Sequence, residues 1–212
     1  MPGERPGPPG GKRDLNRRRK TQALLDAALE RFLEQGVETV PIEAIAAAAG
    51  IAKGGFYRYF ADKRALVEAL LQPVRERIGE AFEACRASLS DASAPDGVVA
   101  AYLGLGAAFA SLLDEQRGVA RLYLQESRAP AVGAREPIAA LEAEVVAGAI
   151  ALTELAQAQG LLRPVDPRVS ALAVIGAAER LLEAYLDGEL GADGGETAGA
   201  LVEIALGGLR PE

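Results

Sequence analysis

Apolar residues recur at three- and four-residue spacing along almost the whole chain, and no useful stretch alternates apolar with polar. That pattern restricts the fold to packed helices, because a half-buried strand needs a period of two. Leu24, Leu25, Ala28 and Phe32 form the first stripe, which stops at Gly36. A short apolar stretch, Ile42–Ala49, stops at Gly50, and a second short helix is expected from about Ala52 to Phe60. Asp62 is a good N-cap for the helix starting at Lys63, whose stripe runs through Leu66, Leu70, Val74, Ile78, Phe82, Cys85 and Leu89. Further helical segments are expected at about 97–113, 117–127, 136–159, 167–186 and 196–209. The breaks between them fall at a loop over 91–97 with Ser93, Pro95 and Gly97, at Pro130 and Gly133, at Gly160 to Pro164, and at Asp187–Gly195. The expected fold is all-α with about nine helices.

The same residues limit the chemistry. The chain has no His and one Cys, Cys85, so internal disulfides, the usual zinc ligand sets and His-based triads are excluded. No carboxylate or Ser–Lys pair stands at a telling spacing, so no catalytic residue, metal site or cofactor is expected, and an enzyme is a poor reading. The longest uncharged run, Gly97–Leu113, falls short of the roughly 20 residues of a bilayer span. With no apolar leader, the chain reads as cytoplasmic, with no membrane partner.

Net charge is −7, but it is unevenly divided. Residues 1–64 hold 12 Lys/Arg against 8 Asp/Glu, or +4, whereas residues 65–212 hold 11 against 22, or −11. A basic front on an acidic body suits a chain that offers one face to phosphates. Residues 1–16 read as a flexible tail, rich in Pro and Gly over 1–11 and turning basic at Lys12 and Arg13. Arg17–Lys20 continue the basic run into the first helix and are candidate DNA contacts, Arg18 among them.

The informative segment lies between Val40 and Leu66. Two short helices meet at a Gly turn, where Ala46, Ala49 and Gly50 allow close approach and Ile45, Ile51 and Phe56 fill a small core. Lys53, Gly54, Gly55, Tyr57, Arg58 and Tyr59 then cluster on the second helix. Small residues at a helix N-terminus let the backbone enter a major groove, while Lys and Tyr groups reach phosphates. Ile45-Ala46, Ala49-Gly50-Ile51-Ala52, Lys53-Gly54, Tyr57-Arg58-Tyr59-Phe60, Lys63 and Leu66, with Ala27-Ala28, Phe32 and Gly36 before them, resemble the TetR family of bacterial transcriptional regulators over residues 17–70. The resemblance implies a three-helix helix-turn-helix domain over 17–70 that binds double-stranded operator DNA. It implies a helical effector-binding and dimerisation domain over 71–212, a homodimer, and repression relieved by a small molecule.

Three positions depart from the family pattern. Pro41 stands where a capping Thr is usual, leaving Thr39 as a substitute; Ala52 replaces a Ser, and Gly55 a side-chain donor. Few side chains on the recognition helix can then read bases, so specificity should rest on Lys53, Arg58, Glu43 and DNA shape. Lys53, Tyr57, Tyr59 and Lys63 are expected mainly at phosphates.

In the body, Phe82, Cys85, Tyr102, Phe109, Leu113 and Tyr123 are candidate walls of a pocket for a small apolar or aromatic effector, with core packing the alternative for each. Val169, Leu172, Ala173, Gly176 and Leu201 are candidate dimer contacts. A body that only dimerises, without an effector, remains the rival reading. Pro73 is expected to kink or break its helix near residues 69–73, as either a hinge or a static bend.

Overall fold

A computed structural model describes residues 11–92 and 95–209, so the expected tail over 1–10 and Ser93 lie outside the described residues. Within these limits the chain forms nine α-helices and no strand. They are α1 (Lys12–Gln35), α2 (Ile42–Ala48), α3 (Lys53–Phe56), α4 (Lys63–Asp91), α5 (Pro95–Glu115), α6 (Arg117–Glu126), α7 (Glu136–Ala158), α8 (Pro167–Leu186) and α9 (Gly194–Leu209), with a 3₁₀ turn at Gly133–Arg135 before α7.

Four boundaries differ from the sequence reading. Lys12–Asn16, expected in the tail, are the first turns of α1, where the Leu15 N–H donates to the Gly11 carbonyl and Asp14 pairs with Arg18 at 3.1 Å. The helix expected over 52–60 ends at Phe56. Two successive glycines give it little helical propensity, and Tyr59 N–H closes back on Phe56 O in a tighter three-residue turn. α5 begins at Pro95, inside the expected loop, because proline's fixed φ suits a first helical turn. α4 runs unbroken through Pro73. The proline faces solvent, while Leu70, Leu71 and Ile78 are buried on either side of it. Arg75 Nε lies 3.0 Å from Glu144 Oε2 and ties the next turn to α7.

Packing divides along α4 into two cores. The first joins Leu24, Phe32, Ile45, Phe56, Leu66 and Leu70 to Leu112, Leu122, Ile138 and Leu141. It therefore crosses the expected domain boundary at residue 70, and the front module shares its interior with the body. Each fully buried Phe or Leu here contributes about 1.5–3 kcal/mol. The second core lies farther along α4 and holds Cys85, Leu89, Val98, Ala101, Leu152, Ala156, Leu162 and Leu206. α5 packs between α4 and α9, where a Cβ on Gly106 would stand 3.4 Å from Ala198 Cβ. By length and composition alone, Asp96–Glu115 would cross a bilayer; it is longer than the uncharged run because Asp96, Asp114 and Glu115 belong to it.

Candidate nucleic-acid interface and ligand cavity

The turn between α2 and α3 is built by Gly50 at φ +67, with Ile51 N–H donating to Ala46 O and Gly50 N–H to Ala47 O. This left-handed helix end suits glycine and turns the chain sharply into α3. Behind the turn, Ile45, Ala46 and Phe56 are fully buried. Pro41 is the N-cap of α2, with no side chain capping it, and exposed Thr39 does not take that role.

The short α3 carries Lys53, Gly54 and Gly55, and Tyr57–Tyr59 follow on its closing turn. The two glycines have different surroundings. A Cβ on Gly55 would come within 2.6 Å of Ile51 Cγ2, so Gly55 lets α3 close on its own core. A Cβ on Gly54 would meet nothing within 4 Å, so Gly54 leaves the outer face of α3 bare. Tyr57 is 53% exposed, Arg58 lies over the half-buried Tyr59 ring at 5.9 Å, and Tyr59 packs on the first core.

Charge around α3 is partly engaged within the chain. Lys53 forms an ion pair with Glu43 of α2. The hydrogen bond from Lys53 holds the Glu43 carboxyl below the usual glutamate range, and the same contact raises the Lys53 pKa. Both side chains are more than half exposed, so the pair is weak and phosphate can compete for the ammonium. Lys63, expected at phosphate, is instead half-buried: its Nζ donates to the carbonyls of Glu38 at 2.8 Å and Val40 at 3.2 Å. Burial pushes its pKa down. It serves to tie the loop after α1 to the start of α4. Arg18 lies back on α1 in its ion pair with Asp14.

α6 joins the front module to the body. Glu126, 4% exposed, accepts from Val37 N–H at 3.0 Å and from Arg135 and Gln125, while Gln125 also donates to Phe32 O at 2.9 Å. Burial pushes the Glu126 pKa up, but these hydrogen bonds outweigh it and leave the carboxyl below its ordinary value. Gly118 lets α6 lie close to α1, since a Cβ there would be 3.0 Å from Leu29 Cδ2. Neither Glu126 nor Gln125 was singled out from sequence.

The other face of α6 borders a partly open cavity of about 280 Å³ lined by α4 to α9. Of the candidate pocket residues, Phe82, Phe109, Leu113 and Tyr123 line it. Cys85 and Tyr102 do not, because one turn beyond Phe82 the interior is filled by the second core. Burial there pushes the Cys85 thiol up to about 11, far from a reactive thiolate. Leu201, a candidate dimer contact, lines the cavity with Ala198 and Thr197 of the same helix. The exposed large hydrophobic residue among the described residues of α9 is Ile204, at 75%. Val169 and Leu172 are 65% and 49% exposed, and Ala173 and Gly176 are also exposed on α8.

Polar groups in the cavity wall are few. Tyr123 Oη donates to Glu179 Oε1 at 2.8 Å, and Thr197 Oγ1 is buried without a hydrogen-bond partner. No Lys or Arg lines the cavity. Sequence reading missed Glu179, although Ile175 and Leu182 place it on an apolar helical face, where a carboxylate is unexpected.

The chain thus joins a small helix-turn-helix module to a helical body that carries a partly open apolar cavity. Residues 24–70 match the family model described as "Bacterial regulatory proteins, tetR family". The HTH-type transcriptional regulator BetI of Serratia proteamaculans is 36% identical over 74 residues, 35% of this chain and 37% of that protein. The matches to BetI and to the regulator AcrR of Shigella flexneri thus span about a third of the relatives' lengths, 37% and 27%. The fold is shared over nearly the whole chain. NalD of Pseudomonas aeruginosa, the secondary repressor of the MexAB-OprM multidrug efflux pump, superposes with a TM-score of 0.69 at 25% identity, covering 92% of this chain and 99% of NalD. FadR of Bacillus subtilis, solved in complex with stearoyl-CoA, gives 0.65 at 20% identity over 89% and 99%.

Proposed function

We propose that the protein is a cytoplasmic transcription regulator that binds operator DNA as a homodimer and is released by an apolar effector held in the body. The observation that carries this reading is α6, which lines the cavity with Val119, Ala120 and Tyr123 and grips the end of α1 through Gln125 and Glu126. An occupant of the cavity can therefore bias the position of the DNA-reading module, provided it binds one arrangement better than the other. The open cavity favours this over a body that only dimerises, which has no use for unfilled apolar space. Lys53, Gly54, Tyr57 and Arg58 form the surface toward DNA, Lys53 exchanging Glu43 for phosphate.

Footprinting on the region upstream of the protein's own gene tests the reading, followed by titration of the protected site over a range of salt. The expected result is a protected, roughly palindromic site, with Lys53→Ala weakening specific and non-specific binding together and lowering the salt slope by about one unit. An unchanged slope removes Lys53 from the phosphate contacts.

A further inference from the structure

The charge lining the cavity narrows the kind of molecule that fits it. Among the residues that line it the only carboxylic acid is Glu179, and there is no basic side chain. Glu179 is held by one neutral donor, the Tyr123 hydroxyl at 2.8 Å, and by one long contact, Arg128 Nη2 at 3.4 Å. The Arg128 side chain is 81% exposed and the Glu179 side chain 18%, so the cation stays largely in water while the carboxylate does not. A second carboxylate, Glu142 of α7, acts on the same place. The Tyr123 hydroxyl is pushed up by burial first, then by Glu179 and by Glu142, with Arg128 acting the other way. Two carboxylates against one exposed guanidinium leave this end of an apolar cavity negative.

We propose that the cavity selects apolar molecules carrying a protonated amine, with the amine placed at Glu179 and the hydrocarbon among Phe82, Phe109, Val145 and Ile175. The proposal rests on the effector reading above and fixes the ligand's charge. An ammonium supplies the donors that a carboxylate lacks and cancels charge that burial makes costly. A fatty carboxylate or a phosphate would place a further anion beside Glu179, with no cation lining the cavity to receive it. Thr197 Oγ1, buried and unpartnered, offers a second polar contact on the α9 wall.

Three probes with the same chain and different heads test this: decylamine, decanol and decanoate, titrated by calorimetry at neutral pH into the full-length, DNA-free protein. Decylamine should bind at least tenfold more tightly than decanol, and decanoate more weakly than decanol. In Glu179→Gln the ratio of amine to alcohol affinity should fall to within about threefold. Decanol binding with no preference for the amine, or a preference unchanged in Glu179→Gln, overturns the charge assignment and leaves the effector cavity standing. Decanoate as the tightest probe overturns it likewise. If none of the three binds, the effector reading of the cavity fails together with the proposal.

Discussion

At the scale of single residues, the two adjacent glycines of α3 separate folding from the proposed DNA recognition. Gly55 is needed by the protein itself, since any Cβ would stand within 2.6 Å of Ile51. Gly54 faces open space, so its bareness benefits only something that approaches from outside. Gly55→Ala should lower stability by about 1–3 kcal/mol through overpacking. Gly54→Ala should hold or raise stability, by up to about 1 kcal/mol, because Ala loses less backbone entropy in a helix. It should nonetheless weaken operator binding by holding α3 away from the groove. Thermal melts and operator titrations on both variants check this; a Gly54→Ala protein with full operator affinity removes close approach from the recognition scheme. Sequence alone grouped both glycines with the DNA-facing residues and marked Gly55 only as lacking a side-chain donor, because their packing difference lies in what surrounds them. The intramolecular role of Lys63 was not legible for the same reason: only the structure shows the carbonyls of Glu38 and Val40 at its Nζ.

At the scale of elements, two connections run from the cavity to the DNA-reading module. α4 carries Val74, Ile78 and Phe82 at the cavity and Leu66 and Leu70 in the front core, with Pro73 between them. α6 carries cavity residues on one face and the Glu126 and Gln125 hydrogen bonds on the other. The periodic stripe made α4 legible in the sequence, including its two ends and its long apolar face. The role of α6 was not legible, because Glu126 gains its meaning from Val37, 89 residues away. Pro73 leaves the Ala69 carbonyl without its helical donor, a local weakness in an otherwise continuous helix. Pro73→Ala should restore that bond and stiffen α4. Effector-induced release from operator should then require severalfold more ligand, while ligand affinity for the DNA-free protein changes little. Equal release from Pro73→Ala and the native protein would assign transmission to α6 alone.

At the scale of the whole molecule, the helical layout was readable because the long helices carry apolar stripes and most breaks between them carry Gly or Pro, although the links at Tyr57–Asp62 and Gln116 carry neither. How α8 and α9 divide their faces was not. Both helices are apolar over most of their surface, so periodicity cannot tell the side that closes a cavity from the side that meets another copy. The structure turns Ile175, Glu179, Leu182 and Leu201 to the cavity. It leaves Val169, Leu172 and Ile204 outside at 65%, 49% and 75% exposure. Large aliphatic residues in water on the two last helices are what a self-complementary interface supplies, and a two-fold dimer would present two α3 helices to successive major grooves about 34–36 Å apart or a multiple of that. Sedimentation at micromolar concentration should therefore give a dimer. Leu172→Glu should shift it toward monomer, since each subunit would place the charge in the apolar contact. If the body folds independently of dimerisation, the circular dichroism of the variant should be native-like while its operator affinity falls at least tenfold, because one module alone loses the second half-site. A monomeric variant with full operator affinity, or a dimer insensitive to charge at Leu172, would move the interface away from α8.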